Sequence, residues 1–280
     1  MKKILLFVLL CFHVSTALEN KAVDKKISEH QRTYGVVFLV PKETVSKILE
    51  ISGGKIQEAL LQNNLIKETL YHNIPHISVI HIHNPDPNTP YNILKSLPKP
   101  PKPFTLSLEH YGFIKASPNA SFPWWLEINV GKNLDYKIIS EYNFKVTQNI
   151  APLRSSPLPR LSGYIYEDLS ADNKSQILEL GSNSLNRIKN GKKEEYYRPH
   201  MTLSYSQTPL NKTLSDSMKE LQRSLNKEFE TPIITKIDTI SIVELGFLGN
   251  VLREIYRINL NNGKIFDVQK GKFIKIKTFK

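Results

Sequence analysis

"IPHISVIHI" (Ile74–Ile82) and "RPHMTLSYS" (Arg198–Ser206) are the two stretches that decide the fold of this chain. Both read Pro-His, then one further residue, then a hydroxyl side chain, and both continue into apolar residues typical of a β-strand. The two histidines, His76 and His200, lie 124 positions apart, one in each half of the chain. The repeat predicts two similar lobes whose equivalent strands face one cleft.

The remaining sequence alternates between strand and helix patterns. Predicted strands cover 34–41, 76–82, 104–114, 123–131, 200–206, 234–247 and 251–261, with a tight turn at Gly249-Asn250. Predicted helices cover 42–66 with a break or kink at Gly53-Gly54, 91–97, 134–150, 170–191 with Ser170 or Asp172 as N-cap and Gly191 as the end, and 214–229. Intermixed strands and helices indicate an α+β class. Together with the repeated motif they predict a bilobal, duplicated fold with antiparallel or mixed sheets around a central cleft.

The two ends of the chain have their own composition. Residues 1–17 combine two lysines, a short apolar run and small residues, which predicts a secretory signal peptide and a secreted or periplasmic protein. Residues 18–33 form a polar arm, 34–262 the main domain, and 263–280 a basic extension that is either an edge strand or solvated. Cys11 is the only cysteine, so the cleaved protein has neither disulfides nor thiol chemistry.

The chain is strongly basic, with a formal net charge of +12. An excess of positive charge fits an anionic partner such as a nucleotide, a nucleic acid or an acidic membrane surface, although solubility alone also explains it. Beyond the signal peptide no apolar run is long enough to span a bilayer, so we expect no stable membrane insertion, and we expect a monomer.

Each of the two motifs presents an imidazole beside a hydroxyl. Side chains alternate across a strand, so His76 shares a face with Ser78, and His200 shares a face with Thr202. Imidazoles titrate near neutral pH and can serve as acid and base, while hydroxyls can donate to phosphate oxygens. This set of groups suits displacement at phosphorus without a cofactor or metal ion.

The two motifs and the strands around them resemble the 2H phosphoesterase superfamily, and most closely its 2′-5′ RNA ligase and cyclic phosphodiesterase branch. The stretches "FTLSLEHYGF" and "WWLEINV" resemble the middle strands of that family, and the resemblance extends over residues 34–262. It implies a bilobal α+β fold and hydrolysis of a 2′,3′-cyclic phosphate or a 2′-5′ linkage in a nucleotide or short RNA. It also implies that His76 and His200 are the acid/base pair and that Ser78 and Thr202 bind the phosphate.

One position departs from that family. Some members of the branch have a basic residue where this chain has Tyr205, so we expect Arg198 or a lysine to neutralise the phosphate instead. Tyr164, in the long loop 151–168, is a candidate for stacking on a base, because binding residues often lie in loops. Tyr205, Arg198 and Tyr164 are therefore predicted substrate contacts.

Two alternatives remain open from the sequence. The first is a secreted nucleotide- or RNA-binding protein with the same fold and no turnover. The second is a zinc-dependent hydrolase that uses His72, His76, His81 and His83. Strand alternation argues against the zinc site, because it places His81 and His83 on the face opposite to His76.

Overall fold

The computed structural model describes residues 32–65 and 73–276, in which antiparallel sheets pack against helices. The strands are β1 Thr33–Leu39, β2 His76–His83, β3 Phe104–Lys115, β4 Trp124–Val130, β5 Arg187–Lys189, β6 Lys192–Glu194, β7 His200–Ser206, β8 Ile233–Ile237, β9 Thr239–Leu245, β10 Val251–Asn259, β11 Ile265–Asp267 and β12 Lys272–Ile274. The helices are α1 Lys42–Ile48, α2 Gly54–Gln62, α3 Thr89–Ser96, α4 Tyr136–Ile150, α5 Tyr164–Glu167, α6 Ala171–Leu180 and α7 Lys212–Glu228.

Two sheets form the two lobes. A six-stranded sheet has the order β12-β11-β10-β9-β1-β2, and a four-stranded sheet has the order β7-β4-β3-β8. All of their strand pairs are antiparallel. The predicted α+β fold with two sheets is therefore confirmed. The strands that carry the two motifs, β2 and β7, are edge strands of different sheets and lie next to each other.

The lobes share a continuous apolar core. Phe38 of the six-stranded sheet meets Phe104 of the four-stranded sheet edge to face, with ring centroids 5.1 Å apart. The alternation of β8 shows how a strand supplies this core: Ile233 and Ile237 are buried, whereas Ile234 faces solvent. Burial of one face of each sheet against the other fixes how the edges of β2 and β7 approach.

Local structure differs from the sequence-based prediction at two glycine positions. Gly53 and Gly54 keep helical backbone angles, and the π-helical turn Leu49–Gly53 joins α1 to α2 instead of a break. The helix predicted over 170–191 begins as expected, because the Ser170 side chain accepts a hydrogen bond from the Asn173 N–H. It ends at Gly181, which takes the left-handed conformation that lets a helix terminate. Irregular backbone follows, and then Arg187–Lys189 form β5, with Gly191 in the turn of the β5–β6 hairpin.

The predicted basic extension also contains strands. β11 pairs with β10, and β12 pairs with β11 at the outer edge of the six-stranded sheet. The signal peptide, most of the polar arm and the last four residues lie outside the described residues, so secretion stays a prediction. In the part of the chain that the structure describes, no helix has the length and apolar content needed to cross a bilayer.

Candidate active site

A cleft of about 960 Å³ opens where β2 and β7 begin. All but one of the predicted catalytic and substrate-contact residues line it: His76, Ser78, Arg198, His200, Thr202 and Tyr205. The fold therefore brings both motifs to the same cavity. Arg198 is exposed at the rim, while His76 is only 5% exposed.

The backbone holds both imidazoles in the same way. The His76 Nδ1 lies 2.7 Å from the Ile74 carbonyl oxygen, and the His200 Nδ1 lies 3.0 Å from the Arg198 carbonyl oxygen. A carbonyl only accepts, so each Nδ1 carries the proton and donates it, and each neutral ring keeps an unprotonated Nε2. The proline between carbonyl and histidine favours extended backbone before it, which turns that carbonyl towards the ring.

Each motif also contains a β-bulge at the same position. In β2, Val37 pairs with Ser78 and Val36 with Ile80, which leaves Val79 as the extra residue. In β7, the pairing with β4 changes register after Thr202 and leaves Leu203 as the extra residue. The offset between the two bulges equals the offset between the two histidines. The duplication therefore extends to the backbone of the motifs.

The bulge in β2 overturns the strand-alternation argument made from sequence. An extra residue reverses the alternation, so His81 lies on the same face as Ser78 and lines the cleft. Its Nε2 is 2.9 Å from the Ser78 Oγ. His81 is thus a cleft residue, and the prediction that it points away from His76 was wrong. Among the described residues, no group of three or more His, Cys, Asp or Glu side chains could hold a metal ion; His72 lies outside them.

Buried amides tie the two motifs together across the lobes. The Tyr197 hydroxyl donates to the Ser78 carbonyl at 2.7 Å, and the Tyr197 N–H donates to the Asn186 side chain at 2.9 Å. The Asn186 N–H donates to Asn143, whose amide group donates to the Val79 carbonyl at 2.7 Å. The resulting closed ring of hydrogen bonds runs from the first bulge to the residues before the second motif. It holds the two histidines in register.

The two histidines lie in different electrostatic environments. Burial lowers the pKa of His76 to about 4, a shift that the Ile74 hydrogen bond partly opposes and that nearby His200 reinforces. His200 has a side chain that is 31% exposed, and its Nε2 lies 3.5 Å from the Glu127 carboxylate. Glu127 is buried, and its carboxylate also accepts a hydrogen bond from the Trp125 indole at 2.6 Å. A proton on His200 would therefore face a fixed negative charge.

Besides Arg198, the cleft contains positively charged side chains that lie outside the two motifs. Arg160, in the 3₁₀ turn Pro159–Leu161, donates to the His81 Nδ1 at 3.0 Å. Lys132, which follows β4, and Lys219, in α7, also line the cleft. The sequence predicted that Arg198 or a lysine would supply this charge. It did not indicate Arg160, because nothing in loop 151–168 shows which side chain turns inwards.

One predicted substrate contact does not line this cleft. The Tyr164 hydroxyl donates to the Phe122 carbonyl, and the Tyr164 ring packs against the Phe122 ring. Tyr164 is 46% exposed and belongs to the surface of α5. Sequence reasoning in turn missed His81, Arg160 and Glu127. Of these only Glu127 has a sequence signal, since it is the one charged residue in the mostly apolar strand "WWLEINV".

No protein-family model and no curated protein matches this sequence. Solved structures do match along most of its length. Kluyveromyces marxianus Usb1 with uridine monophosphate is 6% identical, with 77% of this chain and 95% of that chain covered and a TM-score of 0.42. Escherichia coli LigT complexed with ATP is 10% identical, with 88% and 96% covered and a TM-score of 0.39. TT0787 of Thermus thermophilus is 13% identical, with 82% and 98% covered and a TM-score of 0.42.

These three proteins are members of the 2H phosphoesterase superfamily, the family that the two histidine motifs resemble. At such identities and TM-scores the matches carry no argument about the reaction. The chemistry of the cleft therefore has to be argued from its own residues.

Proposed function

We propose that this protein is a phosphodiesterase that hydrolyses a 2′,3′-cyclic phosphate or a 2′-5′ phosphodiester of a nucleotide or short RNA. His76 and His200 carry out the proton transfers, and Ser78 and Thr202 hold the phosphate. The observation that carries this proposal is the matched pair of imidazoles in one cleft. Each donates its Nδ1 proton to the carbonyl two residues before it and keeps Nε2 for a ligand.

The different environments assign the two roles. His76 is neutral at pH 7 because burial depresses its pKa, so its Nε2 can accept a proton and His76 is the general base. His200 is more exposed and has Glu127 beside its Nε2, so a protonated His200 is compensated in charge and acts as the general acid. The two rings interact electrostatically across the cleft, which favours opposite protonation states.

The reaction then follows as an in-line displacement. Water gives a proton to the His76 Nε2 as its oxygen bonds to phosphorus. The bond from phosphorus to a ribose oxygen breaks, and the His200 Nε2 gives that oxygen a proton. Each proton transfer contributes roughly 10²–10⁴-fold to the rate. Binding of the anionic phosphate raises the pKa of His76 again, because an anion nearby favours the imidazolium, and this makes the base stronger in the complex.

The cleft also fits the proposed substrate class in charge and size. Arg198, Arg160, Lys132 and Lys219 give it a positive lining. A volume of about 960 Å³ is at the upper end of small-ligand sites, which suits a dinucleotide better than a single phosphate group.

The test is turnover of 2′,3′-cyclic nucleotides and of a 2′-5′-linked dinucleotide by the full chain in excess chelator. His76→Ala and His200→Ala are compared with His110→Ala, which changes an exposed histidine of β3 outside the cleft lining. We expect the wild type and His110→Ala to form product and both cleft variants to lose at least about 10²-fold in kcat.

Other outcomes point to other functions. Nucleotide binding without product, retained in His76→Ala, would identify a binding protein instead of an enzyme. Turnover that chelator abolishes would contradict the two-histidine mechanism and favour a metal-dependent hydrolase.

A further inference from the structure

Three side chains from two separate parts of the chain form a hydrogen-bonded series that ends at Ser78. An Arg160 guanidinium nitrogen lies 3.0 Å from the His81 Nδ1, and the His81 Nε2 lies 2.9 Å from the Ser78 Oγ. All three residues line the cleft. The acid/base mechanism uses neither His81 nor Arg160, so the series needs its own explanation.

Because arginine can only donate, the donor and the acceptor of both hydrogen bonds in this series are determined. A guanidinium only donates, so the His81 Nδ1 accepts, and the proton of a neutral His81 ring is on Nε2. That proton is donated to the Ser78 oxygen. Because His81 supplies a donor to the Ser78 oxygen, the Ser78 hydroxyl proton is left to point elsewhere, and the cleft is where an acceptor would be found.

We propose that His81 and Arg160 are positioning residues that turn the Ser78 hydroxyl into a dedicated hydrogen-bond donor for a phosphate oxygen, with Arg160 supplying the positive charge that the second motif lacks at Tyr205. The inference rests on the proposed function, because it takes the ligand at Ser78 to be a phosphate. The new element is the position of the phosphate: its charged oxygens bind on the side of the cleft formed by the first motif.

Two glycines leave the space that the His81 ring occupies. A Cβ at Gly35 would lie 3.0 Å from the His81 Cδ2, and a Cβ at Gly249 would lie 3.1 Å from the His81 Cε1. Gly249 also has a φ of +89°, which a residue with a side chain rarely adopts. The imidazole thus lies against the backbone of two glycines, and a side chain at either position would press on the ring.

The charge of Arg160 has no carboxylate partner within residues 32–65 and 73–276, where the ion pairs all involve other cations. Burial lowers the pKa of Arg160 to about 10, so the side chain is still charged at pH 7. A partly buried, uncompensated cation in a cleft wall is costly unless an anion occupies the cleft. Burial and the charge of Arg160 also keep the pKa of His81 well below its usual value, so His81 stays neutral.

The second motif has different chemistry at the equivalent position. Tyr205 follows Thr202 at the same spacing as His81 follows Ser78, after the equivalent bulge. A phenol has one oxygen and no second ring atom through which to pass a guanidinium charge to the neighbouring hydroxyl. The duplication is therefore symmetric in its histidines and asymmetric in its phosphate-binding groups, as a site needs to be if it binds an asymmetric substrate in one direction.

A double-mutant cycle on phosphate binding tests the inference. The probe is adenosine 2′-monophosphate, with its Kd measured by calorimetry for the wild type, Ser78→Ala, His81→Phe and the double variant. A hydrogen bond to a charged group corresponds to roughly tenfold or more in Kd, so each single variant should bind at least about tenfold more weakly. Because His81 acts through Ser78, the double variant should match Ser78→Ala within about twofold.

Further variants separate positioning from structural roles. His81→Gln can accept from Arg160 and donate to Ser78, so it should recover most of the binding that His81→Phe loses. Arg160→Met should weaken binding in both the wild-type and the Ser78→Ala background, because its charge also acts through space. In turnover of 2′,3′-cyclic AMP, Ser78→Ala, His81→Phe and Arg160→Met should each raise KM more than they lower kcat, while His110→Phe changes neither.

Multiplied effects in the double variant, unchanged binding in His81→Phe, or unchanged binding in Arg160→Met would each overturn the inference. The Kd measurements do not need turnover. Phosphate binding with the predicted cycle but no hydrolysis would therefore refute the proposed enzyme and keep the inference, whereas no phosphate binding by the wild type would refute both.

Discussion

The low pKa of His76 predicts a measurable dependence of stability on pH. In an unfolded chain a histidine titrates near about 6.5, but burial lowers the pKa of folded His76 to about 4. Below about pH 6.5 the unfolded state therefore binds a proton that the folded state rejects. The contribution of His76 is fully present above that pH and is lost as the pH falls towards 4. Linkage gives a loss of about 2 kcal/mol between pH 7 and pH 5, and of about 3 kcal/mol by pH 4.

His76→Gln removes this titration and keeps a polar side chain. Urea unfolding of both proteins at pH 7 and pH 5, followed by fluorescence and circular dichroism, gives the free energy of unfolding at each pH. His81 also has a depressed pKa and titrates in both proteins, so the difference between them reports His76 together with its influence on the pKa of His81. We expect the variant to lose about 2 kcal/mol less than the wild type between the two pH values.

The matched control is His110→Gln, at an exposed position of β3. It should lose as much stability as the wild type between pH 7 and pH 5. Equal losses in His76→Gln and the wild type, within about 0.5 kcal/mol, would refute the argument, because His76 would then titrate alike in the folded and unfolded states.

Three more predictions concern turnover. First, the acid limb of the pH profile of kcat/KM should lie near pH 4, because kcat/KM reports the free enzyme, in which His76 must be neutral. The acid limb of kcat should lie at higher pH, because bound phosphate raises the pKa of His76. An acid limb of kcat/KM at about pH 6.5 or above would contradict this prediction. Second, Glu127→Gln removes the carboxylate that lies 3.5 Å from the His200 Nε2. In steady-state kinetics this variant should lower kcat by roughly tenfold or more with little change in KM. A change in KM alone would argue against an acid role for His200. Third, Tyr197→Phe removes the hydrogen bond to the Ser78 carbonyl. It should lower the free energy of unfolding in urea by about 1 kcal/mol and also lower kcat. A variant with unchanged kcat would show that the two motifs keep their register without this bond.

Much of the fold followed from local sequence patterns. The apolar alternation around His76 and His200 predicted both motif strands, and Ser170 predicted the start of α6. Errors arose where tertiary contacts override local preference. Gly191 was taken for the end of a helix, but it lies in the turn of a hairpin whose first residue, Arg187, is buried against three carboxylates. A sequence window cannot show such distant partners.

The sequence by itself determined the central groups of the site, because the two Pro-His motifs contain the imidazoles, the hydroxyls, and the backbone carbonyls that accept hydrogen bonds from the imidazoles. Only the tertiary structure decided which other side chains surround them. The bulge at Val79 brings His81 to the cleft face, and loop 151–168 brings Arg160 to His81. Both effects come from pairing and packing between segments far apart in the chain. An extra residue in a strand is visible only against its partner strand, and Arg160 meets its acceptor, His81, only once the loop has packed against β2.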